Sequence, residues 1–200
     1  MSLNNVILAV EDRLSDAVAT KILETFGVEI VDRIGFQGKS HLERKTPEFN
    51  RAANGITVFM LTDLDTPREC PPRLIQSWIR GTLNPRFFFR VAVMEVESWV
   101  MADRMGFAAF LSVPLHRIPS PTDDLLNPKE FLLSLARRSK KKTVREALVP
   151  AQGATFSVGN EYNTLLSEFV QDHWDLERAA TASPSLKRTL DRLAKEKGRY

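Results

Sequence analysis

Three short apolar runs in the first half of the chain each end in acids. Asn5–Val10 (NVILAV) runs into Glu11 and Asp12, Ile56–Leu61 (ITVFML) into Asp63 and Asp65, and Phe87–Val93 (FFFRVAV) into Glu95 and Glu97. Continuous apolar runs this short suit strands buried on both faces, as in a parallel sheet covered by helices. The intervening segments supply those helices. Ser15 can cap a helix over residues 16–26, with Ala17, Val18, Ile22, Leu23 and Phe26 at helical spacing and Gly27 as its stop. Residues 28–34 (VEIVDRI) alternate and predict a strand nearer a sheet edge. Residues 39–54 are polar and predict a partial helix interrupted by Pro47. Pro71 and Pro72 open a helix through Leu74, Ile75, Trp78 and Ile79 that Gly81 ends, and a further helix is expected over residues 98–105. Strands alternating with helices predict βαβ units and a three-layer α/β fold with a mainly parallel central sheet.

Beyond residue 106 the pattern changes. Pro114, Pro119, Pro121 and Pro128 break the chain, and helical segments are expected near residues 129–139, 160–172 and 185–197. The expected organisation is an α/β domain over residues 1–105 and a C-terminal helical extension, residues 106–200, packed on the same domain.

Composition excludes several classes. With 200 residues, 43% hydrophobic and 26% charged, the chain can bury a core and is not globally disordered. Its single cysteine, Cys70, excludes an intramolecular disulfide and a multi-cysteine zinc site, and fits a reducing compartment. The start (MSLNNVILAVEDRLSD) lacks the basic segment of a signal peptide, and no apolar run reaches the 18 or more residues of a membrane span. The expectation is a cytoplasmic protein with no membrane partner.

Charge is divided along the chain. Residues 1–66 hold 7 Lys/Arg against 10 Asp/Glu, a net −3, so the remaining residues carry +6 of the overall +3. Five of those ten acids (Glu11, Asp12, Asp16, Asp63 and Asp65) fall in the two strand-end motifs. In an open α/β sheet ligands bind outside the carboxyl ends of the strands, and right-handed crossovers bring those ends to one edge. Acids more than 80 residues apart in sequence can therefore converge. Gathered carboxylates repel unless a cation neutralises them, and an oxygen-only donor set suits Mg²⁺ or Mn²⁺. Residues two apart on a strand share a face, so Asp63 and Asp65 can reach one metal or two adjacent ones. The competing reading is helix capping, which Asp12, Asp16 and Glu97 could each perform alone.

A Glu ending the first strand, then a helix, then Asp-x-Asp ending a later strand, resembles the Toprim fold of topoisomerases, bacterial primases, recombination-repair proteins and OLD-type nucleases. The first motif is VILAVEDRLSDAVATKIL and the second VFMLTDLDTPREC. The stretches RVAVMEVESWVMAD and EYNTLLSEFVQDHWDLERAATASPSLKRTL are similar to small stand-alone Toprim-like proteins of bacteria. The resemblance implies a Toprim/Rossmann-like fold. It also implies Glu11 as general base or metal ligand, Asp63 and Asp65 as the metal-binding pair, Asp16 as the additional acid of the OLD-type branch, and Glu95 or Glu97 as a later acid. Many Toprim domains place Gly after the first Glu, where backbone approaches phosphate. Here Asp12 adds charge and bulk, which points away from strand passage and toward a divergent nuclease or an inactive descendant.

Arg137, Arg138, Lys140, Lys141, Lys142 and Arg145 put six positive charges in nine residues, a candidate nucleic-acid patch or a solvated surface. The last helix adds Lys187, Arg188, Arg192, Lys195, Lys197 and Arg199, read as a solvated face. His41, His116 and His173 are isolated and argue against catalytic zinc, with His173 expected in local packing beside Trp174. Cys70 is expected to be a small buried side chain, and Trp78, Trp99 and Trp174 core. The segment Gly35–Ser40 lacks Walker spacing.

Three functions compete. The first is a Mg²⁺-dependent (or Mn²⁺-dependent) Toprim-type nuclease or phosphodiester-processing domain acting on nucleic acid beside a partner such as an ATPase. The second is a catalytically silent Toprim-like interaction protein. The third is a receiver-like phosphoacceptor module, in which Glu11, Asp12 and Asp63 would surround Mg²⁺ and Asp65 has no role. Other metal-dependent α/β enzymes with Asp-x-Asp, such as nucleotide-sugar transferases, complete the set.

Overall fold

A computed structural model describes residues 3–79 and 81–198. Four strands, β1 (Asn5–Val10), β2 (Glu29–Gly35), β3 (Val58–Asp63) and β4 (Phe87–Ala92), form an all-parallel sheet in the order β2-β1-β3-β4. The helices that follow are α1 (Arg13–Thr25), α2 (Lys39–Ala52), α3 (Pro71–Ile79), α4 (Val96–Ala102), α5 (Arg104–Leu111), α6 (Pro128–Ala136), α7 (Lys142–Leu148), α8 (Tyr162–Asp172), α9 (Leu176–Ala182) and α10 (Pro184–Lys197). This is the expected three-layer α/β fold with a helical C-terminal part.

Alternation along the strands builds the layers. Phe59, Leu61, Phe88 and Ala92 face one core with Val18 and Ile22 of α1, Trp99 of α4, Phe169 of α8 and Leu186 of α10. Val58, Met60, Phe87 and Phe89 face the other with Leu42 and Phe49 of α2 and Leu74 and Trp78 of α3. Residues on β3 and β4 are buried on both sides, which is why those strands read as unbroken apolar runs. Each fully buried Leu or Phe contributes about 1.5–3 kcal/mol. Edge strand β2 leaves Glu29, Val31, Asp32 and Arg33 exposed, in keeping with its charged sequence.

The first core is continuous from β1 to α10, and residue 105 lies inside α5. The expected helix over residues 98–105 is two helices. Asp103 leaves helical geometry (φ −73°, ψ 69°) and accepts from the backbone N–H of Gly106 at 3.1 Å, ending α4 and capping α5. Pro47 does not interrupt α2, which runs through it. The carbonyl that loses its donor belongs to exposed Glu43, where water can serve it, and Thr46 Oγ1 donates to the Leu42 carbonyl at 2.8 Å. Cys70 is exposed, because the turn after β3 leaves the core before Pro71 restarts a helix, and His173 is exposed at the end of α8. Trp78, Trp99 and Trp174 are buried as expected, and Arg199 lies outside the described residues. Among the described residues no helix is long and apolar enough to cross a membrane.

The strand order fixes where a site can form. The chain steps from β1 outward to β2, then crosses back to place β3 on the other side of β1. The crevice of such a doubly wound sheet lies at the carboxyl ends of β1 and β3. Glu11 follows β1 and Asp63 ends β3.

Candidate functional site

Glu11 and Asp63 meet at that crevice. Glu11 Oε1 accepts from the backbone N–H of Asp63 at 3.0 Å and from the hydroxyl of buried Thr62 in a short hydrogen bond. Asp63 Oδ1 accepts from the backbone N–H of Val96 at 2.8 Å, tying the end of β3 to the start of α4. Asp65 adopts a left-handed conformation (φ 61°), and its N–H donates to the Met94 carbonyl at 2.8 Å. Its carboxylate receives Lys39 Nζ at 2.7 Å, and the same ammonium donates to the Leu64 carbonyl at 3.1 Å.

The third pair of acids arrives from the β4–α4 connection. Glu95 does not cap its own helix. Its Oε2 accepts from the backbone N–H of Lys129 at 2.7 Å, in the first turn of α6. Glu97 is 2% exposed. Its Oε1 accepts from the Tyr162 hydroxyl at 2.9 Å and lies 3.5 Å from Lys129 Nζ. Glu11, Asp63, Asp65 and Glu95 are thus each anchored through one carboxylate oxygen, and among the described residues no bond engages the other.

The electrostatics centre on Asp63. Burial pushes its carboxyl well above the usual range, and Glu97, Glu11, Asp65 and Asp12 push the same way. Burial also raises Glu11, against the hydrogen bonds from Thr62 and Asp63 that favour its ionised form. Glu97 is raised by burial despite Lys129. Lys129 shows the converse: burial alone would lower its ammonium, but Glu97, Glu95, Asp12 and Asp63 outweigh it and hold it above the usual lysine range. Burial and Glu97 push the Tyr162 phenol upward, so it stays protonated and donating.

Not every expected residue joins the cluster in the same way. Asp12 is the N-cap of α1, accepting from Ser15 N–H at 2.8 Å, so the capping reading describes its contact. Asp16 pairs with Arg33 of β2 at 3.0 Å and takes no bond from the cluster. In the basic segment, Lys141 Nζ donates to the Phe110 carbonyl at 3.0 Å, Arg145 to the Ser139 carbonyl, and Lys142 stands 3.6 Å from Glu146. No hydrogen bond or ion pair joins these three to the strand-end acids among the described residues. Lys39, Lys129, Tyr162 and Thr62 are the site residues that the sequence reading missed. Thr62 carried a signal, lying between the β3 run and Asp63, whereas Lys129 and Tyr162 reach the acids only through helix packing.

A cavity of about 560 Å³ opens beside Glu11 and is lined also by Asp12, Arg13, Phe36 and Asn163. The largest cavity described, about 720 Å³, lies between α7 and the loop after it and contains none of the strand-end acids. Comparison with known proteins finds no matching family model, curated protein or solved structure.

The donor set fits a hard divalent cation in kind, being carboxylate oxygens without Cys or His. Among the described residues no group of three His, Cys, Asp or Glu is placed to hold a metal ion as it stands. Mg²⁺ is commonly bound through one or two carboxylates with water and substrate phosphate completing its shell, so such a site needs fewer than three protein carboxylates.

Proposed function

We propose that the chain is a divalent-cation-dependent phosphodiester-processing domain of Toprim type, acting on nucleic acid with Mg²⁺ or Mn²⁺. The observation that carries this reading is the meeting of Glu11 and Asp63 at the switch point of the sheet, with the charges of Glu97, Asp65 and Asp12 also acting on Asp63. Such crowding disfavours ionisation of Asp63 unless a cation offsets it. A cation held by Glu11 and Asp63 would supply Lewis-acid activation of a phosphodiester oxygen and of the attacking water. The chain's own residues supply the rest. Thr62 and the Asp63 N–H fix one oxygen of the Glu11 carboxylate and leave the other unengaged among the described residues. Lys129 and Tyr162 hold Glu97 in place, and Lys39 pins the Asp65 loop. A motor, where strand movement is needed, would come from a partner such as an ATPase.

A second reading, a catalytically silent interaction protein of the same fold, is favoured by the two lysines. Lys39 on Asp65 and Lys129 on Glu97 already supply positive charge that a metal would bring. The receiver-like reading loses ground, since the described residues hold no fifth strand to present a lysine.

Cleavage separates the two. Purified protein with Mn²⁺ is expected to nick plasmid or cut single-stranded DNA or RNA, with Asp63→Ala reducing the rate by about a hundredfold or more. Lack of cleavage of any of these with either metal would remove the nuclease reading.

A further inference from the structure

The edge strand β4 carries an arginine, Arg90, that pairs with no carboxylate among the described residues. Arg90 interrupts an otherwise apolar strand, and its Nε is buried with no hydrogen-bond partner. Burial lowers its pKa to about 10, and the charged group acting on it is another cation, Arg192. A buried guanidinium nitrogen without a hydrogen-bond partner is costly, and an incoming anion would relieve that cost. Arg192 itself is satisfied: it stacks over Phe88 at 5.1 Å and pairs with Glu196 at 2.9 Å.

Arg90 opens into a cavity of about 370 Å³ between β4, the start of α3 and α10. Helical spacing places Ser185, Arg188 and Thr189 of α10 on the same wall. The two hydroxyls are engaged within the fold, Ser185 accepting from Trp99 Nε1 at 2.6 Å and Thr189 donating to the Ser185 carbonyl at 3.2 Å. The available donors are therefore the guanidiniums of Arg90 and exposed Arg188. Neither has a carboxylate partner among the described residues.

We infer that this pocket binds a phosphate group through Arg90 and Arg188. Two guanidinium forks match the charge and geometry of a phosphate better than those of a single carboxylate. The volume leaves room for an organic group attached to it, against the apolar wall of Phe89 and Ile75. The ligand chemistry is the phosphate itself, whether free, in a nucleotide or in a nucleic-acid backbone. The site does not depend on the acids at the carboxyl ends of β1 and β3.

Thermal unfolding in phosphate-free, metal-free buffer tests it, with inorganic phosphate as the probe and chloride at matched ionic strength as control. The wild type is expected to gain stability saturably with phosphate. Arg90→Met is expected to be more stable than wild type without phosphate and to bind it about tenfold or more weakly. Arg188→Gln, an exposed change, should keep wild-type stability and weaken phosphate binding similarly; should Arg90→Met fail to fold, this variant carries the test. A parallel titration with a single-stranded oligonucleotide in EDTA identifies the source. Weaker oligonucleotide binding in Arg188→Gln assigns a backbone phosphate, and unchanged oligonucleotide binding with a lost phosphate response assigns free or monoester phosphate. A wild type that responds to phosphate no more than to chloride, or variants that respond as wild type does, overturns the inference.

Discussion

The backbone N–H of Asp63 donates to the Glu11 carboxylate across 3.0 Å, joining the carboxyl ends of two strands whose residues lie 52 apart in sequence. That bond crosses the switch point of the sheet. It orients Glu11 while leaving its second oxygen unengaged among the described residues, and it brings a second negative charge against Asp63.

The Asp63 carboxyl is raised in the folded state, so its ionised form works against folding. Its contribution is most favourable below the unfolded value near 3.8 and declines as pH rises toward the folded value. Asp63→Asn keeps an acceptor for the Val96 N–H and removes the charge. It is expected to stabilise the protein by on the order of 1 kcal/mol at neutral pH. Melting curves across pH check this: the gap between variant and wild type should close at acid pH.

Lys129 is the counter-charge of buried Glu97. Its raised pKa means that its stabilisation is fully present below the unfolded value near 10.5 and is lost as pH rises through the folded value. Lys129→Met leaves Glu97 without its cation and is expected to cost about 1–3 kcal/mol at neutral pH, the ammonium being partly exposed. Millimolar Mg²⁺ or Mn²⁺ should recover more stability in this variant than in wild type, as read by thermal shift. Equal recovery in both proteins would show that the cation does not reach these acids.

Asp103 holds the helical part together. It is fully buried, receives Arg178 through Nε at 2.7 Å and a terminal nitrogen at 2.8 Å, and accepts from the N–H groups of Gly106 and Asp175. Burial would raise its carboxyl, but Arg178 and the two backbone donors hold it below the usual range. Its stabilisation is therefore present above about pH 3.8 and lost as pH falls through the folded value. Asp103→Asn should lower stability by about 2 kcal/mol at neutral pH and flatten the acid limb of the stability curve.

Gly35 closes β2 beside Glu11. It adopts φ +117°, and a Cβ there would lie 2.0 Å from the Val10 carbonyl oxygen. That contact is with backbone, so it cannot relax by a rotamer change. Gly35→Ala is expected to destabilise by about 2 kcal/mol or more in chemical denaturation and to displace the strand end that carries Glu11.

The strands were legible because a parallel sheet covered on both faces writes itself as apolar runs. Phe87–Ala92 needed no alternation to be read, and the acids beyond the runs marked where each strand left the core. The division of the segment over residues 98–105 leaves no local signal, because what divides it is Asp103, whose Arg178 partner is 75 residues away. Lys39 and Lys129 had no local signature, since each is an ordinary polar helix residue until tertiary packing brings it to an acid. Cys70 followed its residue type's usual burial in the reading and the geometry of a turn in the fold. Pro47 showed the same limit: it removes one hydrogen bond, and an exposed helix face tolerates that.

The central claim is that Glu11 and Asp63 together hold a divalent cation. Calorimetric titration of Mn²⁺ into wild type, Glu11→Gln and Asp63→Asn tests it most directly, with circular dichroism confirming that each variant is folded. The prediction is saturable binding by the wild type that weakens about tenfold or more in either variant. A wild type that takes up no Mn²⁺, or folded variants that bind it as tightly as wild type, would contradict the claim.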